Sequence, residues 1–206
     1  MSIRLHNLDF NYKDQKVITN LSLEIADGGI LCVMGESGCG KTTLLGILTG
    51  RLKPENGEIQ GISGKRIGMV FQENRLLEEF SAESNILLGC DRGFYPLDGE
   101  DSRHWKKAEK RKHIDEHLKL VGLEEASKEK VKNLSGGMKR RVAIVRAMMS
   151  DCDILVMDEP FQGLDARNRR KAIEYIRRYK GDRTLLLVTH EKEDAERLGG
   201  VLFQMS

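Results

Sequence analysis

The segment Ile30-Leu-Cys-Val-Met-Gly-Glu-Ser-Gly-Cys-Gly-Lys-Thr-Thr43 joins an apolar run to a glycine-rich loop and to the start of a second apolar pattern. The run from Ile30 to Met34 is continuous, which is typical of a strand covered on both faces of a parallel sheet. The residues from Thr43 to Leu48 have helical spacing, and Gly50 follows them as a stop signal. The order therefore predicts a strand, a loop and a helix.

The loop fits the pattern G-x-x-x-x-G-K-[ST]. Its glycines let backbone N–H groups turn toward phosphate oxygens, and the next helix offers unpaired donors at its positive end. Lys41 is suited to reach the terminal phosphates, and the Thr42 hydroxyl is suited to bind Mg²⁺. A glycine-rich turn that happens to precede Lys-Thr is the alternative, and the strand–loop–helix context disfavours it. We predict a nucleotide-phosphate site made of Gly35, Glu36, Ser37, Gly38, Cys39, Gly40, Lys41, Thr42 and Thr43.

Two carboxylates end a second apolar run, Ile154-Leu-Val-Met157. Asp158 and Glu159 then lie at the carboxyl edge of a parallel sheet, where ligands bind in such folds. We predict that Asp158 holds Mg²⁺ and that Glu159 orients or deprotonates an attacking water. The alternative is a pair of acids that cap the following helix.

A second anion-binding pattern, Leu134-Ser-Gly-Gly-Met138, precedes a helical pattern. The Ser135 hydroxyl and the free backbone donors of Gly136 and Gly137 suit an anion, but the motif has no lysine of its own. It resembles half of a site, and taken alone an ordinary helix N-cap is the simpler interpretation.

The chain alternates in character along its length. Strand patterns dominate both ends, whereas the middle is helical and highly charged. Strands that alternate with helices predict right-handed crossovers and a mostly parallel sheet. We therefore predict one α/β domain over residues 1–206, with an antiparallel N-terminal β part, a core of residues 1–72 and 151–206, and an inserted helical subdomain at about 73–150.

Composition excludes several classes of protein. Lys and Arg number 34 against 32 Asp and Glu, and this balance does not indicate a nucleic-acid partner. No apolar run approaches the roughly 20 residues that span a bilayer. The four cysteines show no C-x-x-C spacing, so neither a zinc site nor a disulfide framework is expected.

Taken together, the motifs resemble the nucleotide-binding subunit of ATP-binding-cassette (ABC) transporters, nearly from end to end. The Ser135 motif is similar to the family signature LSGGQ, with Met138 in place of glutamine. Gln72 matches the family's Q-loop glutamine, a Mg²⁺ ligand and sensor of the membrane partner. His190 matches the switch histidine that contacts the γ-phosphate. Tyr12 matches the aromatic residue that stacks on adenine, although a packed edge-strand tyrosine is the alternative.

The resemblance implies a P-loop NTPase fold, ATP and Mg²⁺ as bound species, and ATP hydrolysis. It assigns catalytic roles to Glu159, His190, Lys41 and Gln72, and metal ligation to Thr42, Gln72 and Asp158. It also implies head-to-tail pairing with a second copy or a homologous subunit. The transmembrane permease would dock on residues 73–85, unless these only pack the helical part. The expected location is the cytoplasmic face of the membrane, as a peripheral protein that is soluble when isolated.

Within the family, Arg75-Leu-Leu77 and Asp158-Glu-Pro-Phe161 are similar to the nitrate, sulfonate and taurine importer branch. The alternatives are the ATPase of an exporter or lipoprotein-extraction system, and a slow nucleotide-switched assembly ATPase. The D-loop position Phe161-Gln-Gly-Leu-Asp165 departs from the usual SALD. The chain ends soon after His190, and we expect no added regulatory domain.

Overall fold

The computed structural model describes residues 2–13, 15–90, 93–95, 102 and 105–205. Those of them within 1–67, 153–159 and 181–206 form one compact unit, and those within 68–152 and 160–180 form another. The strands are β1 (Ile3–Tyr12), β2 (Gln15–Ile25), β3 (Ile30–Met34), β4 (Asn56–Gln60), β5 (Ile67–Val70), β6 (Ile154–Asp158), β7 (Thr184–Val188) and β8 (Val201–Gln204). The helices are α1 (Lys41–Leu48), α2 (Ala82–Gly89), α3 (Lys107–Leu120), α4 (Gly136–Met149), α5 (Ala166–Tyr179) and α6 (Lys192–Leu198).

An antiparallel sheet in the order β2-β1-β4 forms the N-terminal part. Strand β1 alternates buried and exposed positions, so that Ile3, Leu5, Leu8 and Phe10 face the core. Strands β1 and β2 make a hairpin in which Tyr12 pairs with Gln15. The antiparallel N-terminal sheet was predicted, but β4 was not.

The second sheet has five strands in the order β5-β6-β7-β3-β8. The pairs β6–β7, β7–β3 and β3–β8 are parallel. All residues of β6 and β7 are buried, which explains why their sequences are continuous apolar runs. The carboxyl ends of β3, β6 and β7 meet at one edge of the sheet. Asp158 and the residues that follow Met34 and Val188 therefore lie at this edge.

The second unit is largely helical. Helix α2 packs on α4, and α3 contacts both. Its core includes Ile86, Ile114, Leu118 and Val142, all fully buried. The charged sequence of α3 fits the helical, highly charged middle that the sequence predicts.

The predicted α/β class, with a parallel sheet and an antiparallel N-terminal sheet, is confirmed. In the part of the chain that the structure describes, no helix combines the length and apolar character needed to cross a bilayer.

Candidate active site

The glycine-rich loop connects β3 to α1 and depends on backbone conformations that glycine adopts easily. Gly40, the N-cap of α1, has φ +99°, and Gly38 has φ +86°. Gly35 leaves no room for a side chain, because a Cβ there would meet the Met205 carbonyl oxygen and the Cys39 sulfur. Thr43 is buried on α1, whereas Glu36, Ser37 and Gly38 are exposed at the tip. The loop therefore presents exposed backbone next to a helix N-terminus.

Lys41 is held inside this loop. Its ammonium group donates to the carbonyl oxygens of Gly35 at 2.8 Å and Glu36 at 2.7 Å. Only 7% of the residue is exposed. The carbonyls satisfy the buried charge and hold the ammonium at the centre of the loop, where an anionic ligand would take over as its partner.

A hydroxyl and a carboxylate meet beside the loop. Thr42 Oγ1 donates to Asp158 Oδ2 at 3.2 Å, and Asp158 is buried at the end of β6 while Thr42 is exposed. No cluster of three or more His, Cys, Asp or Glu residues suited to a metal occurs among the described residues. Mg²⁺ bound with a nucleotide needs only one or two protein oxygens, since phosphates and waters complete its shell. The Thr42–Asp158 pair therefore fits Mg²⁺.

Glu159 and His190 form a second polar pair at the same edge. His190 Nε2 lies 2.8 Å from Glu159 Oε1, and the Glu159 side chain is 14% exposed against 51% for the imidazole. The Glu159 backbone has φ +47°, which is unusual for a residue other than glycine. Its N–H donates to the Val188 carbonyl at 3.1 Å, so β7 supports this strained conformation. The carboxylate is thus placed next to a histidine that is open to solvent.

The sequence reading missed a buried pair that supports His190. Thr189 Oγ1 donates to Asp194 Oδ2, and both residues are at most 4% exposed. The Thr189 hydroxyl also accepts a hydrogen bond from the Glu191 N–H, and the Thr189 N–H donates to the Val33 carbonyl. These bonds fix the turn that carries His190 against β3 and α6. In the sequence, the only sign of this pair is that Thr189 and Asp194 are polar residues.

Tyr12 lies at the tip of the β1–β2 hairpin. Its ring is half exposed and meets Phe10 edge-on, with 4.9 Å between ring centroids. The same hairpin approaches the glycine-rich loop, because the Val17 carbonyl lies 3.1 Å from where a Gly40 Cβ would stand. The exposed ring leaves room for stacking, and its role stays a prediction.

The other candidates belong to the second unit. Gln72 is exposed after β5. Ser135 is the N-cap of α4 and accepts a hydrogen bond from the Met138 N–H at 3.3 Å. Gly136 faces open space, while Gly137 adjoins the backbone of Gly163.

Asp165, in the D-loop position, caps α5. Its carboxylate accepts a hydrogen bond from the Asn168 N–H at 2.8 Å, and this bond, followed by one from the Asn168 side chain, lowers the pKa of Asp165. Asp165 is therefore the N-cap of α5.

Helix α4 also carries three arginines, Arg140, Arg141 and Arg146, to which the sequence analysis assigned no role. Arg140 and Arg141 are nearly buried, and Arg146 is half-buried. Arg141 donates to the Val121, Gly122 and Gly137 carbonyls, and burial lowers its pKa.

Comparisons with known proteins identify relatives of this chain. Residues 18–162 match a family model described as ABC transporter. The taurine import ATP-binding protein TauB of Roseobacter denitrificans is 37% identical over 200 residues, covering 93% of this chain and 70% of the relative. The bicarbonate transport ATP-binding protein CmpD of Synechococcus elongatus is 35% identical over 199 residues, covering 92% and 68%.

Among solved structures, the dimeric structure of MJ0796, a bacterial ABC transporter cassette, superposes with a TM-score of 0.81 at 29% identity, covering 98% of this chain and 94% of that one. A post-hydrolysis dimer of the same cassette, bound to ADP and Pi, also gives a TM-score of 0.81, at 27% identity and with coverage of 99% and 94%.

Proposed function

The chain belongs to the ABC transporter family as an ATPase subunit, and from this we propose that it powers an importer of small solutes. The support is the nature of its relatives, which import taurine and transport bicarbonate. We further propose that residues 1–206 act as one ATPase domain, in which about 73–150 is a helical insertion into the core of 1–72 and 151–206.

ATP binding is assigned to the glycine-rich loop and the hairpin beside it. The backbone donors from Gly35 to Thr43 would surround the phosphates, and Lys41 would exchange its two carbonyl partners for phosphate oxygens. Tyr12 would stack on the base, since half of its surface is open.

Mg²⁺ would be held by Thr42 and Asp158, with Gln72 as a further ligand. The 3.2 Å contact between the first two side chains supports this, because both supply hard oxygens. When bound, the ion would neutralise charge on the phosphates during transfer. Gln72 would supply an amide oxygen, and its assignment rests on the family resemblance.

Hydrolysis is assigned to Glu159 and His190, and their 2.8 Å contact is the observation that carries the proposal. A carboxylate that is 14% exposed at the carboxyl edge of the sheet can accept a proton from an attacking water. His190 orients that carboxylate before the nucleotide enters, and its exposed imidazole is free to contact the γ-phosphate.

The partner of this subunit is proposed to be a second copy or a homologous ATPase. The Ser135 hydroxyl and the N–H groups of Gly136 and Gly137 stand at the open start of α4, without a lysine. A phosphate presented by another copy would complete such a site. ATP-dependent contacts of this kind shift the population toward a closed pair.

A permease is the proposed membrane partner. Leu77 and Phe80 are each 50% exposed, and the Asn85 side chain fixes the turn between them by hydrogen bonds to both backbone groups of Leu77. A rigid turn that exposes two large apolar side chains suits a protein contact. The subunit would then lie on the cytoplasmic face of the membrane as a peripheral protein.

ATP turnover of Glu159→Gln tests the hydrolytic assignment. We expect a loss of at least about 100-fold, because the amide is not a base. Glu193→Gln makes the same change on the exposed side of α6 and should stay within about twofold of wild type. Equal turnover in the two variants would refute the role of Glu159.

Solute import is tested by purifying the chain together with a permease and its solute-binding partner in lipid vesicles. Uptake of taurine, bicarbonate or a related small anion that requires ATP and fails with Glu159→Gln would support an importer. ATP-driven efflux of the same solutes would support the exporter alternative.

A further inference from the structure

The segment Phe71–Arg75, here called the glutamine turn, has an unusual local structure. Arg75 has φ +44°, and its guanidinium lies 3.9 Å from the centre of the Phe71 ring. Gln72 itself is exposed. A turn with an exposed glutamine and a strained residue needs outside support to keep one conformation.

Arg140 of α4 supplies part of that support. The residue is 3% exposed, and its Nη1 donates to the carbonyl oxygens of Phe71 at 2.5 Å and Gln72 at 3.0 Å, and to Asn74 Oδ1 at 3.3 Å. Its Nε donates to the Pro160 carbonyl at 3.2 Å. Pro160 directly follows Glu159 in the chain, so one guanidinium joins the glutamine turn to the residue after the proposed base.

Arg146, on the same helix, supports the other end of the turn. It donates to the Arg75 carbonyl at 2.8 Å and the Asn74 carbonyl at 3.2 Å. Its aliphatic stem lies against Gly89, where a Cβ would collide with it. Two arginines of α4 thus bind four carbonyls and one side-chain oxygen of a five-residue turn.

The chemistry of these contacts explains why arginine is needed. A guanidinium presents several donors in one plane and can serve three acceptors at once, whereas an ammonium is a compact point charge. A buried guanidinium needs such partners, so the turn and the helix constrain each other. Because α4 begins at the Ser135 cap, the turn is attached to the helix that starts with the signature motif.

We propose that Arg140 is a positioning residue that fixes Gln72 relative to the start of α4, so that Gln72 and the Ser135–Gly137 motif move together. The proposal rests on the function proposed above, in which Gln72 contributes to Mg²⁺ binding. Arg140 acts through the backbone of the turn and touches no substrate. Arg146 supports the other end of the same turn, through the carbonyls of Asn74 and Arg75.

The test combines Arg140→Lys with Gln72→Ala, singly and together. Arg141→Lys is the matched control, because Arg141 is a neighbouring buried arginine whose carbonyl partners lie outside the turn. The first readout is amide hydrogen exchange at residues 71–75 without nucleotide or metal. The second is the Mg²⁺ concentration that gives half-maximal ATP turnover.

We expect faster exchange at residues 71–75 in Arg140→Lys and unchanged exchange there in Arg141→Lys. The Mg²⁺ requirement should rise about tenfold in Arg140→Lys, as is typical when the support of a metal ligand is removed. In a Gln72→Ala background, Arg140→Lys should raise the Mg²⁺ requirement by no more than about twofold, because the glutamine that Arg140 positions is absent.

The positioning role would be overturned if Arg140→Lys raised the Mg²⁺ requirement equally with Gln72 present and in Gln72→Ala. Unchanged amide exchange at residues 71–75 in Arg140→Lys would overturn it too. A Gln72→Ala protein with wild-type Mg²⁺ dependence would instead refute the Mg²⁺ role of Gln72 in the proposed function, while the exchange data would still show whether Arg140 holds the glutamine turn. If Arg140→Lys does not fold, the half-buried Arg146→Lys replaces it and should give the same pattern on the same turn.

Discussion

Replacing Thr189 by valine removes a hydroxyl that makes two hydrogen bonds while nearly preserving the shape of the side chain. The bond to the buried Asp194 carboxylate is charge-assisted and is worth about 1.5–3 kcal/mol. The bond from the Glu191 N–H adds about 0.5–1.5 kcal/mol. We therefore expect Thr189→Val to lower the free energy of unfolding by about 2–4 kcal/mol. Turnover should also fall, because the turn that carries His190 loses both contacts.

Thr184→Val is the matched control at the other end of β7. Thr184 is also buried, and its hydroxyl accepts one hydrogen bond, from the Gly28 N–H at 3.1 Å. We expect a loss of about 1–2 kcal/mol in stability and little change in turnover at a temperature where the protein stays folded. Urea unfolding and steady-state ATP turnover measure the two effects. If Thr189→Val lost no more turnover than Thr184→Val, the support of His190 by Thr189 would be refuted.

Two further outcomes follow from packing and from titration. Gly35→Ala places a Cβ within 3.0 Å of the Met205 carbonyl, which cannot move freely because the Met205 N–H donates to the Met34 carbonyl. We expect the free energy of unfolding in urea to fall by about 2–4 kcal/mol. For Gly38→Ala we expect a fall of about 1–2 kcal/mol, because its Cβ would meet no other atom but its φ is positive. Equal losses in the two variants would contradict this packing. Burial, followed by the charge of Asp194, raises the pKa of the Cys32 thiol from 9.0 to about 12. The stability that this thiol contributes is complete below pH 9 and is lost as the pH rises through 12. Cys32→Ala should therefore make the free energy of unfolding fall less steeply at alkaline pH. If the fall is as steep in Cys32→Ala as in wild type, other groups cause it.

The parts of the fold that were predictable have strong local signals. Strands β3, β6 and β7 are continuous apolar runs because both faces of the sheet are covered, and the glycine-rich loop follows from its own spacing. The apolar run that ends at Met157 therefore predicts that Asp158 and Glu159 lie at the carboxyl edge of the sheet. Strand β4 escaped prediction because its positions are mostly exposed and carry no apolar alternation.

The supporting residues of the site were less predictable, because their partners are distant in sequence. Arg140 binds carbonyls more than 60 residues earlier in the chain, and backbone carbonyls leave no trace in the amino-acid sequence. Thr189 and Asp194 are close in sequence, but nothing local shows that the pair is buried. Motif spacing identifies groups that meet a ligand, whereas groups that hold them in place emerge from packing.

Light scattering of Glu159→Gln with and without Mg·ATP tests whether two copies share the phosphate site. The same measurement is made with Ser135→Arg added as a second variant. We expect ATP to shift the protein from the 23.3 kDa mass of one chain to twice that mass. Ser135→Arg should abolish the shift, because the signature of one copy would complete the phosphate site of the other. A Glu159→Gln protein that binds ATP but keeps the mass of one chain would contradict the shared site between two copies.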